Sequence, residues 1–307
     1  MPKLPYHGWM ISGAVDYAAL TARPDAALVA STRREALDGA FGRETADELR
    51  HEKSGAAIVV IIAGGVLFVI FGAVTIGQWA SGESWSDASI GLGATAVIAV
   101  LAAAAYVLIR TVLQPRSWLR SVRLIAFARA NGLEAQPKAH MRELPGVLAR
   151  PGRQEQYKSI HNRVTWSQTG LSAEAATYSD AGGGRNPDTF EIRFLAVALP
   201  SAPPRSTFRC GRNLGVRGEE SAAWVDALVG TGGRSRLMCA PADADRVTAF
   251  FTPELRGVLT DAQHPANAEV AGNHLLLYYG SRNALDPTLW RCMFAAVDAL
   301  EPVAQQR

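Results

Sequence analysis

Two apolar runs dominate the hydropathy pattern of the chain. From Ser54 to Gly82 there are 29 consecutive residues without a charged side chain, and from Ala88 to Ile109 a further 22. About 20 apolar residues, rising 1.5 Å each, cross the ~30 Å hydrocarbon core of a bilayer. Each run therefore predicts a transmembrane helix, at residues 55–79 and 88–109. Only Ala80 to Asp87 separates them, so the helices return antiparallel as a hairpin. That loop carries Glu83 and Asp87 and no Lys or Arg, whereas Arg43, Arg50 and Lys53 precede the first run and Arg110, Arg116, Arg120 and Arg123 follow the second. The bias of basic residues toward the cytoplasmic side then places both termini in the cytoplasm of a cell (plasma) membrane protein.

Small residues recur every fourth position in these runs, at Ala73 and Gly77 and at Gly91, Thr95, Ala99 and Ala103. That spacing lets helix backbones approach closely, so these residues are the expected helix-packing positions, within one hairpin or in a homo-oligomer. Neither run contains Asp, Glu, Lys, Arg or His. Ion pathways and proton relays rely on such groups, so the pattern favours an anchor over a channel or transporter component.

On either side of the runs the period changes. Residues 1–53 form an N-terminal cytoplasmic segment in which Asp25 to Lys53 has helical periodicity, with Asp25 as N-cap and an interruption at Gly39 or Gly42. Beyond Pro115, Ser117 opens a helix ending at Gly132. Alternating runs follow at Leu133–Pro137, Arg163–Ser167, Leu171–Tyr178, Phe190–Leu199 and Thr207–Arg212, and they predict strands. Further on come a strand to Cys239, helices from Ala242 and Pro253, a strand pair at Glu269–Gly272 and His274–Tyr279, and a last helix capped by Asp286. The prediction is a membrane protein: a two-helix transmembrane hairpin (54–110) plus a cytoplasmic α+β domain (111–307) with mostly antiparallel strands.

Charge sharpens one point. Residues 110–153 carry 9 basic and 2 acidic side chains, whereas the whole chain has a net charge of only +3. Arg110, Arg116, Arg120 and Arg123 are thus candidate contacts for anionic lipid at the cytoplasmic face of the bilayer, besides their role in topology. No motif or aromatic interleaving points to nucleic acid. The three cysteines are scattered and predict reduced thiols packed as small apolar groups. The six His residues show no metal-ligand spacing, and no nucleophile elbow or Walker loop is present. The glycine-rich stretches Gly182 to Asn186 and Gly230 to Arg236 lack the Lys and following Ser or Thr of a phosphate loop, and predict turns. No metal, cofactor-binding or catalytic residues are indicated.

Several stretches in order resemble a family of uncharacterised actinobacterial two-helix membrane proteins with a cytoplasmic α+β domain. They are Phe127-Ala128-Arg129-Ala130-Asn131-Gly132-Leu133, Leu144-Pro145-Gly146, Phe190-Glu191-Ile192, Phe251-Thr252-Pro253-Glu254-Leu255, Leu275 to Tyr279, and Leu285-Asp286-Pro287-Thr288-Leu289-Trp290. Where such relatives carry glycine and tyrosine after the Phe-Glu pair, this chain has Arg193, Phe194 and Leu195. The resemblance implies the same layout and no particular activity. The expected function is a membrane-anchored cytoplasmic binding or scaffolding module, with an unknown protein partner or ligand. The alternative is a membrane-tethered enzyme whose site is assembled from distant residues.

Overall fold

A computed structural model describes residues 14–50, 116–139, 158–181, 189–212, 220–228, 234–281 and 283–304. Its centre is a nine-stranded sheet in the order β1-β2-β3-β4-β9-β8-β5-β7-β6. The strands are β1 (Glu134–Ala139), β2 (Lys158–Gln168), β3 (Leu171–Ala181), β4 (Thr189–Ala198), β5 (Ser206–Arg209), β6 (Val225–Asp226), β7 (Arg236–Cys239), β8 (Ala266–Ala271) and β9 (His274–Tyr279). Every pairing between them is antiparallel. Alternation along each strand sends successive side chains to opposite faces. Val164, Ala175, Leu195, Leu277 and Val270 thus share one face with Trp166, Phe208 and Leu237, while Ile160, Tyr178, Ile192, Phe194, Leu276 and Tyr278 form a second buried cluster on the other. Pro137 lies in β1, at the sheet edge, where a residue without an N–H is tolerated.

The described helices are α1 (Ala18–Thr21), α2 (Ala26–Leu37), α3 (residues 43–50), α4 (Arg116–Ala130), α5 (Ala244–Phe250), α6 (Pro253–Leu259), α7 (Pro287–Asp298) and α8 (Glu301–Ala304). Of these, α1, α4, α5, α6 and α7 pack on the first face. Three of the capping residues read from the sequence act as caps: Asp25 accepts from Leu28 N at 2.6 Å, Thr252 from Leu255 N at 3.2 Å and Asp286 from Thr288 N at 2.9 Å, whereas Ser117 lies inside its helix, which begins at Arg116. Between α2 and α3 the chain turns on Gly39 and Gly42, with φ of +90° and +93°. Such left-handed backbone suits glycine, and the predicted interruption is a real break.

Helix α4 is shared by two cores. Leu124, Phe127 and Ala128 pack toward the sheet and α7, whereas Trp118, Val122 and Ile125 meet Ala36, Phe41 and Leu49 of the N-terminal segment. A clasp holds that segment down: Asn131 Oδ1 accepts from Asp16 N at 2.7 Å, and its Nδ2 donates to Asp16 O at 2.9 Å and to Phe127 O at 2.8 Å. Arg129 adds an ion pair to Glu35 and stacks over the Phe41 ring at 5.3 Å.

The predicted fold class needs correction. The described chain is organised by the nine-stranded sheet and its helices, and among the described residues no helix is long and apolar enough to cross a membrane. Helix α4, which follows the predicted hairpin, is likewise no span: it has 15 residues, about 22 Å of rise, and carries Arg116, Arg120, Arg123 and Arg129. The two-helix membrane class, with its transmembrane and multi-pass description, is therefore replaced by a sheet-centred fold of mixed α and β elements. The hairpin prediction itself fell on residues 54–110, which lie outside the described residues.

Candidate functional site

The β2 strand carries an irregularity that borders an open recess. Its register against β3 shifts between His161 and Val164, and Asn162 takes a left-handed φ of +52°. A bulge of this kind bends a strand and re-aims side chains, and Asn tolerates the left-handed region better than most residues. The result is an open cleft of about 750 Å³ bounded by α3, the start of α4, β1, the β2 bulge and β4. Trp118, Leu49 and Pro137 supply its apolar surface. Glu44, Asp47, Glu48 and Glu191 bring negative charge, and Arg120, Lys138 and His161 face them.

Several of these groups are held in place. Thr45 Oγ1 accepts from Lys138 N at 3.2 Å and lies 3.1 Å from Lys138 O, which pins α3 to the edge strand. Lys138 Nζ is 3.6 Å from Glu48 Oε2. Asp47 lies between Arg43 and Arg50, at 3.5 and 3.3 Å. These ion pairs are largely exposed and contribute little to stability. They do balance much of the acidic charge of α3.

His161 is the titratable centre of the cleft. Burial pulls its pKa below the ordinary value of 6.5; Glu48 and Glu191 oppose this, and Lys138 reinforces it. The unfolded chain thus takes up this proton more readily than the folded one, so the stabilisation is complete above the unfolded pKa and is lost as pH falls through the folded one. Between about pH 7.5 and 5.5 the wild-type chain is expected to lose more of its denaturation midpoint than His161→Gln does. Equal pH slopes in urea titrations of the two would overturn this. His161 Nε2 lies 2.8 Å from Ser159 Oγ. That is a hydroxyl–imidazole contact, but Ser159 does not line the cleft and no described residue hydrogen-bonds the other ring nitrogen. The third group that would orient such a pair for nucleophilic attack is missing among the described residues.

Behind the cleft a polar row crosses the sheet. Lys138, His161, Thr177, Arg193 and Tyr279 are successive register partners across β1, β2, β3, β4 and β9. Direct partners share a face, so the row starts in the cleft and runs beneath the helices. Arg193 is fully buried. Its Nη1 donates to Thr177 Oγ1 at 3.1 Å and to Asn162 O at 3.4 Å, and its Cζ sits 5.2 Å from the Trp290 ring centroid. Burial pulls it down to about 9, with Glu191, two positions away on the same strand face, acting in the other direction.

The predicted contact residues are dispersed by the fold. Arg110, Ala73, Gly77, Gly91, Thr95, Ala99 and Ala103 lie outside the described residues. Arg116 opens α4. Arg120 is exposed and lines the cleft, whereas Arg123 donates through Nη2 to Leu20 O and so ties α1 to α4. Of the glycine-rich stretches, 182–186 falls outside the described residues, and Arg236 of the other pairs with Asp226 at 3.1 Å. The sequence reading missed His161, Asn162 and Arg193 as a group. Their association depends on cross-strand register and on a bulge, and only the strand alternation around Arg193 was available as a signal.

No family model matches the chain, and no curated protein matches its sequence. Among solved structures it is similar to the crystal structure of the mycobacterial trehalose monomycolate transport factor A, TtfA, with a TM-score of 0.39 and 10% identity over 59% of this chain and 92% of that one.

Proposed function

We propose that the chain is a binding module that holds a small amphipathic ligand in the cleft between α3, α4 and the β1–β2 edge. One observation carries this reading: a recess of about 750 Å³ lies within the roughly 300–1,000 Å³ range of small-molecule sites, and it joins an apolar surface to a few converging polar groups. Trp118, Leu49 and Pro137 suit an apolar body. Arg120, Lys138 and neutral His161 suit a polar or anionic head, with Asp47 of α3 paired to Arg43 and Arg50 and Glu48 to Lys138. An enzymatic reading has less to stand on, since the Ser159–His161 contact lacks an orienting partner among the described residues.

The test uses anilinonaphthalene sulfonate, a fluorophore with an apolar body and an anionic head, on the full chain. The double variant Arg120→Glu/Lys138→Glu changes two side chains that are partly or fully exposed, so it is expected to fold. Its affinity for the probe is expected to fall about tenfold or more, from the loss of two favourable charges and the gain of two repulsive ones. Unchanged affinity would show that the probe binds elsewhere and would remove the cleft as the binding site.

A further inference from the structure

Arg193 makes its two hydrogen bonds through Nη1 alone. Its Nε and Nη2 are buried and have no hydrogen-bond partner among the described residues. These two nitrogens lie along one edge of the planar guanidinium, and their parallel N–H bonds match two oxygens of a carboxylate or phosphate. Among the described residues, Arg193 leaves this whole edge without a hydrogen-bond partner, at 0% exposure. The row position adds a second fact. Tyr279, the register partner of Arg193 on β9, is also fully buried with a hydroxyl that has no partner. Donors that lack acceptors in the interior are costly, and a charged donor most of all.

We infer that Arg193 is an oxyanion-binding residue, clasping a carboxylate or phosphate side-on through Nε and Nη2, with the Trp290 ring against the guanidinium. This goes beyond the cleft reading and does not depend on it. The oxyanion has two possible sources, a free ion or the head of a molecule seated in the cleft. The second is geometrically close: two strand spacings, about 10 Å, separate Arg193 from His161, and the carbonyl of cleft residue Asn162 already accepts from the same guanidinium.

The experiment follows thermal unfolding of the full chain in inorganic phosphate, acetate or phenylacetate at constant ionic strength, with chloride as reference. An ion that binds only the folded state raises the midpoint in proportion to ln(1 + [L]/Kd). The wild-type midpoint is expected to rise by a few degrees with at least one oxyanion. Arg193→Met should abolish the rise measured from its own baseline. Arg193→Lys keeps the charge but loses the fork, and should weaken the apparent affinity about tenfold. If phosphate and acetate act as well as phenylacetate, the source is a free ion. If phenylacetate acts more strongly and Arg120→Glu/Lys138→Glu removes the excess, the oxyanion arrives with a cleft ligand. Equal rises in wild type and Arg193→Met would overturn the inference, and so would a wild-type midpoint insensitive to all three, the result expected if a water alone satisfies the edge.

Discussion

Trp290→Ala is expected to lower the unfolding free energy of the full chain by about 3–5 kcal/mol, the largest stability loss we expect from a single truncation in this core. Trp290 is fully buried at the point where α4, α7 and the sheet meet. Its ring centroid lies 5.0 Å from Phe127 of α4, 6.1 Å from Trp166 of β2 and 5.9 Å from Phe294 of α7. Its Nε1 donates to Ala284 O at 2.9 Å, which fixes the entry to α7. Removal leaves a cavity that three rigid elements cannot collapse into, and it takes the aromatic face from Arg193. Trp290→Phe keeps a ring and loses the N–H, so its cost should be smaller, about 1–2 kcal/mol. Denaturant titration of both variants checks the order. A loss below about 1.5 kcal/mol for Trp290→Ala would mean that the site repacks.

The same residue shows what the sequence made legible. Asp286 followed by Pro287, with Leu289, Met293 and Val297 behind them, specified α7 and its buried face. Local chemistry decides caps, so Asp25 and Thr252 were equally readable. Strand alternation located β3 and β4, whereas two-residue β6 carries too little pattern to detect. Hydropathy over residues 54–110 drew the fold class toward a membrane hairpin, because long uncharged runs outweigh short alternating strands in any window-based reading. The arginines after that run looked like one electrostatic patch. In the fold they diverge: Arg120 lines the cleft and Arg123 holds a backbone carbonyl. The row from Lys138 to Tyr279 spans 141 positions of sequence and depends on register. No local spacing encodes it.

A pair of glycine substitutions should move stability in opposite directions. Gly211 follows β5 with φ +79°, and a Cβ there would lie 2.8 Å from Arg234 Cβ and 3.0 Å from Arg234 O. The left-handed backbone costs a non-glycine residue about 1–2 kcal/mol. Contact with a neighbouring backbone adds about 1–3 kcal/mol, because backbone cannot swing aside as a side-chain tip can. The strain falls beside a fixed point: Cys210 N donates to the buried Asn267 Oδ1 at 3.0 Å, tying the end of β5 to β8. Gly211→Ala is therefore expected to destabilise the full chain by about 2–4 kcal/mol. Gly257 sits inside α6, and a Cβ there meets nothing within 4 Å. Gly257→Ala removes unfolded-chain freedom without a clash and should stabilise by about 0.5–1 kcal/mol. Denaturant midpoints measured side by side read both signs. If Gly211→Ala costs no more than a surface change, the Gly211–Arg234 approach relaxes, and the β5–β7 edge is softer than its close contact implies.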